Sequence, residues 1–155
     1  MPTHAEKRFL PYRPEDLFDL VADVESYPQF LPWCRAARIR KREGNKIVAD
    51  LVIGFKMVRE RFTSHVHLNR EDLRIDVTYA EGPFRYLNNH WKFEPAPDGC
   101  YVDFFVDFEF HSALLQKIIG ALFNEAVRRM VAAFEARARQ LYGPPPAGAP
   151  ASRPI

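Results

Sequence analysis

Cys100-Tyr-Val-Asp-Phe-Phe-Val-Asp-Phe-Glu-Phe-His-Ser-Ala-Leu-Leu-Gln-Lys-Ile-Ile119 is where the chain changes its hydrophobic period. In the first half Val102, Phe104, Val106, Phe108 and Phe110 oppose Asp103, Asp107 and Glu109. That period of two is a strand with one greasy face. Ser112 then suits a helix N-cap. Over residues 113–142 the residues Leu115, Ile118, Ile119, Leu122, Val127, Met130, Val131, Phe134 and Leu141 fall on one broad stripe. Arg128, Arg129, Arg137 and Arg139 lie largely outside that stripe and favour its later turns, as a helix dipole prefers. Gly143 stops the helix.

Everything upstream is shorter. Residues 3–10 read as a first strand, broken by Pro11 and Pro14. Pro14 opens a short helix whose first turn carries Glu15 and Asp16, with Leu17, Phe18, Leu20, Val21 and Val24 at helical spacing. From Arg35 the period is two again. Strands are expected over 35–43, 46–55, 58–68, 73–80, 86–94 and 100–111, with a hairpin turn at Gly44-Asn45 and a loop from Pro95 to Gly99. The order is strand, two short helical pieces, six strands, one long helix. Hairpin-linked strands give a curved antiparallel sheet of seven with one apolar face, an α+β arrangement. Only the C-terminal helix is long and apolar enough to cover that face. A helix is about 10–12 Å across, narrower than such a sheet, so side chains or a cavity must take up the remaining width.

The chain has 155 residues, enough for one domain with a true core. That domain is expected over 1–143, and the Pro/Ala/Gly-rich residues 144–155 as a disordered tail. Twenty-two basic against 20 acidic residues do not call for nucleic acid, and no DNA partner is expected. Cys34 and Cys100 lack metal-ligand spacing and read as buried free thiols of a reducing compartment. No run is long and apolar enough to span a bilayer, and the first residues lack a signal core. A cytoplasmic protein is expected. Thirteen Phe, six Tyr and two Trp supply either a ring-rich core or the lining of an apolar pocket.

Asp23-Val-Glu-Ser-Tyr-Pro-Gln-Phe-Leu-Pro-Trp-Cys34 follows the first helix. Pro28 and Pro32 make it a stiff turn that carries Tyr27, Phe30, Leu31 and Trp33. Such a turn either plugs one end of the core or guards the mouth of a cavity. This stretch, with Gly54-Phe-Lys-Met-Val-Arg-Glu-Arg-Phe-Thr-Ser64, Gly82-Pro-Phe-Arg-Tyr-Leu-Asn-Asn-His-Trp-Lys-Phe93 and the helix around Phe134-Glu-Ala-Arg-Ala138, resembles the coenzyme Q-binding, or polyketide cyclase-like, branch of the START superfamily. The resemblance spans residues 3–143. It implies a helix-grip fold and a tunnel for a polyisoprenoid quinone such as ubiquinone, used in respiratory electron transport. Bacterial relatives also include a ribosome-association toxin that binds the large subunit. The motifs do not separate these two roles. The cyclase label of other relatives gives little reason to expect catalysis, since no nucleophile, acid–base pair or phosphate loop can be assembled.

On this resemblance the cavity wall is expected from Phe55, Phe62, Val77, Tyr79, Trp91, Phe93, Phe104, Val106 and Phe108 on the sheet, and from Leu115, Ile119, Leu122, Phe123 and Met130 on the helix. Glu60 shares the inner parity of Phe62 and Val66. It can meet a quinone oxygen when protonated or pair with an arginine. Asn89 shares inner parity too and can donate to a quinone carbonyl. Tyr27, Phe30, Leu31 and Trp33 form the expected mouth, able to touch a membrane surface transiently, at the inner membrane of a bacterium. Arg38, Arg40 and Arg42 are expected on one face of the second strand, with Lys46, Arg59 and Arg61 beside them. That row suits ribosomal RNA phosphates or lipid headgroups, and also the plain guarding of a sheet edge. His65 and His67 alternate on the outer face without a third ligand, so no metal site is expected.

Overall fold

The connection from the first strand to the second decides how the molecule closes. The computed structural model describes residues 3–55, 58–143 and 153–154. Its elements are β1 (Thr3–Leu10), α1 (Pro14–Ala22), a 3₁₀ helix (Val24–Gln29), β2 (Cys34–Glu43), β3 (Lys46–Phe55), β4 (Val58–Asn69), β5 (Arg74–Glu81), β6 (Phe84–Ala96), β7 (Gly99–Phe110), α2 (Ala113–Tyr142) and a two-residue β8 (Arg153–Pro154). The sheet order is β2-β3-β4-β5-β6-β7-β1-β8. Strand β1 therefore lies beside β7, while β2 is the far edge. The chain between them must cross the whole sheet, and it does so through α1 and the 3₁₀ helix.

The seven long strands match the expected sheet, and α2 runs over the expected residues. Ser112 caps α2 by accepting from the Leu115 N–H at 3.2 Å. Strand ends differ by a residue or two, and two differences have a physical reason. Strand β6 continues through Pro95 and Ala96, which pair with Cys100 and Gly99, so the hairpin to β7 is tighter than the proline suggested. Pro95 can stand there because the ladder spares its missing N–H. Leu141, read as part of the buried stripe, is 49% exposed in the last turn of α2. Of the tail expected to be disordered, only Arg153 and Pro154 lie among the described residues. They pair with Phe9 and Arg8 at the β1 edge.

Two clusters fill the concave side. One, at the α1 end, joins Leu17, Phe18 and Val21 to Ile47, Ile75, Phe93 and Cys100. The other, near the start of α2, joins Phe62, Phe84, Phe108, Phe110 and Ile119. The far end of α2 is tied to α1: Tyr12 donates to the Gly143 carbonyl at 3.1 Å and Tyr142 donates to the Asp16 carbonyl at 2.8 Å.

Gly82, in the turn before β6, has φ +143°, and a Cβ there would lie 2.6 Å from Phe62 Cβ. A side chain meets both a poor backbone region and a wall of the second cluster. Gly82→Ala is expected to cost about 1–3 kcal/mol. Thermal unfolding should show it as a fall of roughly 5 °C.

Candidate functional site

A cavity of about 230 Å³ lies between the concave face of the sheet and α2. The period-two faces of β4 to β7 supply Phe62, Val77, Asn89, Trp91, Phe104, Val106 and Phe108. Helix α2 supplies Ile119, Phe123 and Met130, and the proline-bracketed turn supplies Tyr27, Leu31 and Trp33. Other expected wall residues sit elsewhere. Phe93 lies behind the wall, edge-on to Phe18 with ring centres 6.1 Å apart. Tyr79 faces the second cluster, and its hydroxyl accepts from the Phe84 N–H at 3.1 Å. Leu115 packs on that same cluster. Leu122 and Glu60 are half-buried but outside the lining. The side chain of Phe55 lies outside the described residues.

The turn closes one wall by ring contacts. Tyr27 and Phe134 both line the cavity. Phe30 does not; it sits edge-on against both, with ring centres 5.9 and 5.3 Å away. The Arg137 guanidinium lies 5.2 Å above the Phe30 ring. Edge-to-face contacts of this kind add to plain burial and fix ring orientation.

Among the described residues, no Asp, Glu, Lys, Arg or His lines the cavity. The groups with protons to give stay protonated at neutral pH. Burial, then Cys34 and Asp23, raise the Tyr27 phenol far above its ordinary value, and its hydroxyl donates to the Val21 carbonyl at 2.5 Å. Burial pushes the Cys34 thiol up to about 11. Asn89 donates one amide hydrogen to the Phe105 carbonyl at 2.8 Å, and its oxygen accepts from Trp91 Nε1 at 3.1 Å. These bonds prop the wall and use one of its two N–H donors. Two polar atoms of the cavity lining, Ser64 Oγ and Trp33 Nε1, have no partner among the described residues. An unpaired buried donor costs about 1–3 kcal/mol. Ser64 escaped the sequence reading although parity alone reveals it, since it alternates with Phe62 and Val66. Phe84, Phe134 and Leu51 also line the space and were missed.

The outer face differs from expectation in one respect. A bulge between Ile39 and Lys41 shifts the register of β2. Arg38 pairs with Asp50, which belongs to the outer face, but Arg42 pairs with inward-facing Ile47. Lys41 takes the outward position instead. The extra residue is Arg40, whose Nε approaches Asp50 at 3.6 Å. Asp50 is 5% exposed and also accepts from Thr63 Oγ1 at 2.5 Å and Arg61 Nη2 at 3.2 Å. Arg40 and Arg61 thus serve a structural carboxylate, while Arg38, Lys41, Lys46 and Arg59 carry the outward charge. His65 and His67 lie 6.5 Å apart between ring centres on the same face. No group of three metal-ligating side chains occurs among the described residues.

A polar groove runs beside the cavity, between β1 and α2. His4, Glu6 and Arg8 pair with Val106, Phe104 and Val102, so they point to the helix side. Arg8 bonds Glu6 at 2.7 Å and Glu135 of α2 at 3.1 Å, and His4 meets Glu6 at 3.0 Å. Burial opposes the charge on Glu6, but Arg8 and then His4 outweigh it and hold its carboxyl below the usual range.

A family model described as polyketide cyclase / dehydrase and lipid transport matches residues 10–135. The chain belongs to that family. It is 42% identical over 137 residues to the ribosome association toxin RatA of Rickettsia prowazekii, covering 86% of this chain and 94% of that protein. It is 34% identical over 145 residues to the mitochondrial coenzyme Q-binding protein COQ10 homolog B of Xenopus laevis, covering 90% of this chain and 59% of that protein. The solution structure of an 18 kDa protein from Caulobacter crescentus superposes with a TM-score of 0.77 at 39% identity, covering 93% of this chain and 100% of that one. The fold is the START-like helix grip of this family. Among the described residues no helix is long and apolar enough to cross a membrane.

Desolvation raises the pKa of Asp50, yet Thr63, Arg61 and Arg40 outweigh it and leave the value lowered. A depressed folded-state value contributes stability above the unfolded carboxyl value of about 3.9 and loses it as the pH falls through the folded value. Asp50→Asn is expected to cost about 2 kcal/mol at pH 7. In urea denaturation the gap to the parent protein should narrow as the pH falls below the unfolded carboxyl value of about 3.9 and through the lowered folded-state value.

Proposed function

We propose that this protein holds an isoprenoid quinone, ring inward, in the space between the sheet and α2, and carries or presents it for respiratory electron transport. The observation that carries this reading is the cavity lined chiefly by rings and aliphatic groups, with no charged side chain among the described residues. Apolar contact at roughly 25 cal/mol per Å² favours any hydrophobic guest there. The Xenopus relative, named for coenzyme Q binding, supplies the quinone class. The volume sets the part that enters. At about 230 Å³ the cavity is below the ~300–1,000 Å³ typical of drug-sized ligands, so it suits a substituted ring and not a full polyisoprenoid tail. The tail then leaves past the wall beside the rings of Tyr27, Phe30 and Phe134. No reacting group is required for this role, and the protein acts as a carrier rather than a catalyst. The turn meets the membrane surface, at the inner face of a bacterial membrane, where such quinones reside.

Ala126 lines the cavity from α2. Ala126→Phe places a ring in the void and should weaken binding of a short-chain ubiquinone at least tenfold, with the unfolding temperature unchanged or raised. Calorimetric titration of both proteins measures this. Equal affinities would remove the cavity from the reading.

The outward cations favour a second role. Arg38, Lys41, Lys46 and Arg59 project from one face of β2 to β4, and the Rickettsia relative is named for ribosome association. Such a row suits RNA phosphate, with strong salt dependence. In sucrose gradients the protein should co-migrate with the large ribosomal subunit at low salt. Arg38→Glu with Arg59→Glu should abolish this while quinone binding persists. Co-migration unaffected by the double change would dismiss the face as the contact.

A further inference from the structure

The cavity satisfies nearly every polar group it contains, so the exceptions are informative. Tyr27, Asn89 and Trp91 each have a partner within the protein. Ser64 has none among the described residues, although it is only 1% exposed. Its backbone is held on both sides, opposite Ala49 of β3 and Tyr79 of β5. Between Thr63 and Ser64 the register to β5 shifts. Irregularities of this kind re-aim side chains and recur beside functional sites. On the inner face its neighbours along β4 are Phe62 and Val66, neither of which can accept a hydrogen bond. An alanine would fill the same place without leaving a hydroxyl unpaired.

We propose that the Ser64 hydroxyl is the polar recognition point of the cavity, donating a hydrogen bond to a carbonyl oxygen of the bound ring. This rests on the quinone reading and names the atom that reads the ligand's oxygen. Trp33 Nε1 is a second unpartnered donor of the same lining. The Gly54 N–H donates to the Trp33 carbonyl, which sets Trp33 beside a residue five positions along β3 from Ala49. At about 3.3 Å per residue that is roughly 16 Å of backbone ladder, too far for one quinone ring to meet both donors, so the ring oxygen is assigned to Ser64 alone. The Ser64 hydroxyl lacks an acceptor. That deficit calls for a guest that brings an acceptor oxygen. A pure hydrocarbon leaves it unmet.

The test compares tetramethyl-1,4-benzoquinone with hexamethylbenzene, which replaces each carbonyl oxygen by a methyl group at nearly the same shape. Affinities of each are measured by NMR titration for the full-length protein, for Ser64→Ala and for Ser64→Cys. Ser64→Ala should bind the quinone about tenfold more weakly, the worth of one net hydrogen bond, and hexamethylbenzene equally well. Its unliganded melting temperature should be unchanged or higher, since no bond within the protein is lost. If Ser64→Ala fails to fold, Ser64→Cys, similar in size and a weak donor, carries the same expectation. Undiminished quinone affinity in a folded variant would overturn the role of Ser64 and leave the quinone reading standing. Failure of the parent protein to bind either compound would overturn both.

Discussion

One slim helix must cover a wide concave sheet, and the rest of the molecule answers to that mismatch. Side chains large enough to span the distance are needed, and the inner face supplies rings. Phe84 stacks on Phe110 at 4.7 Å and meets Phe62 and Phe108 edge-on at 5.3 and 5.6 Å. Trp91 leans on Phe104 at 4.5 Å and on Phe134 of α2 at 5.3 Å. Rings in contact at such angles brace each other as a frame. A frame resists collapse into the space it surrounds, whereas aliphatic chains would rotate to fill it.

Charge is sorted around that frame with the same effect. The network from His4 through Glu6 and Arg8 to Glu135 fastens α2 toward the β1 side of the sheet. The buried carboxylate of Asp50 locks β3 to β4 on the outer face, beneath Arg40 and Arg61. Ion pairs thus lie outside the cavity, where water or partners meet their polar needs. The interior stays uncharged, which suits a guest of low polarity.

Much of this was legible in the residues. The change of period at Ser112 located α2, and strict alternation identified the inner faces of β4 to β7. Thirteen of the expected wall and mouth residues, from Phe62 to Trp33, do border the cavity. What failed was whatever depends on register and neighbours. The bulge at Arg40 turned Arg42 away from its row, because one extra residue inverts every later side chain of a strand. Glu60 has inward parity but lies near the strand's end, clear of the space. Asn89 lines the space as expected, and it also holds Trp91 and the Phe105 carbonyl, contacts that exist only once β6 pairs with β7. Ser64 was overlooked although its parity with Phe62 and Val66 marks it as inward, because only the folded strand shows its hydroxyl buried and unpaired.

The central claim is that room beneath α2 is kept for a guest and is not merely imperfect packing. The most direct measurement is organic extraction of the protein purified without detergent from a ubiquinone-producing host, with the extract weighed by mass spectrometry against protein concentration. The account predicts a prenylated quinone approaching one molecule per chain. An extract free of quinone, from a protein that also fails to take up added ubiquinone, would contradict it.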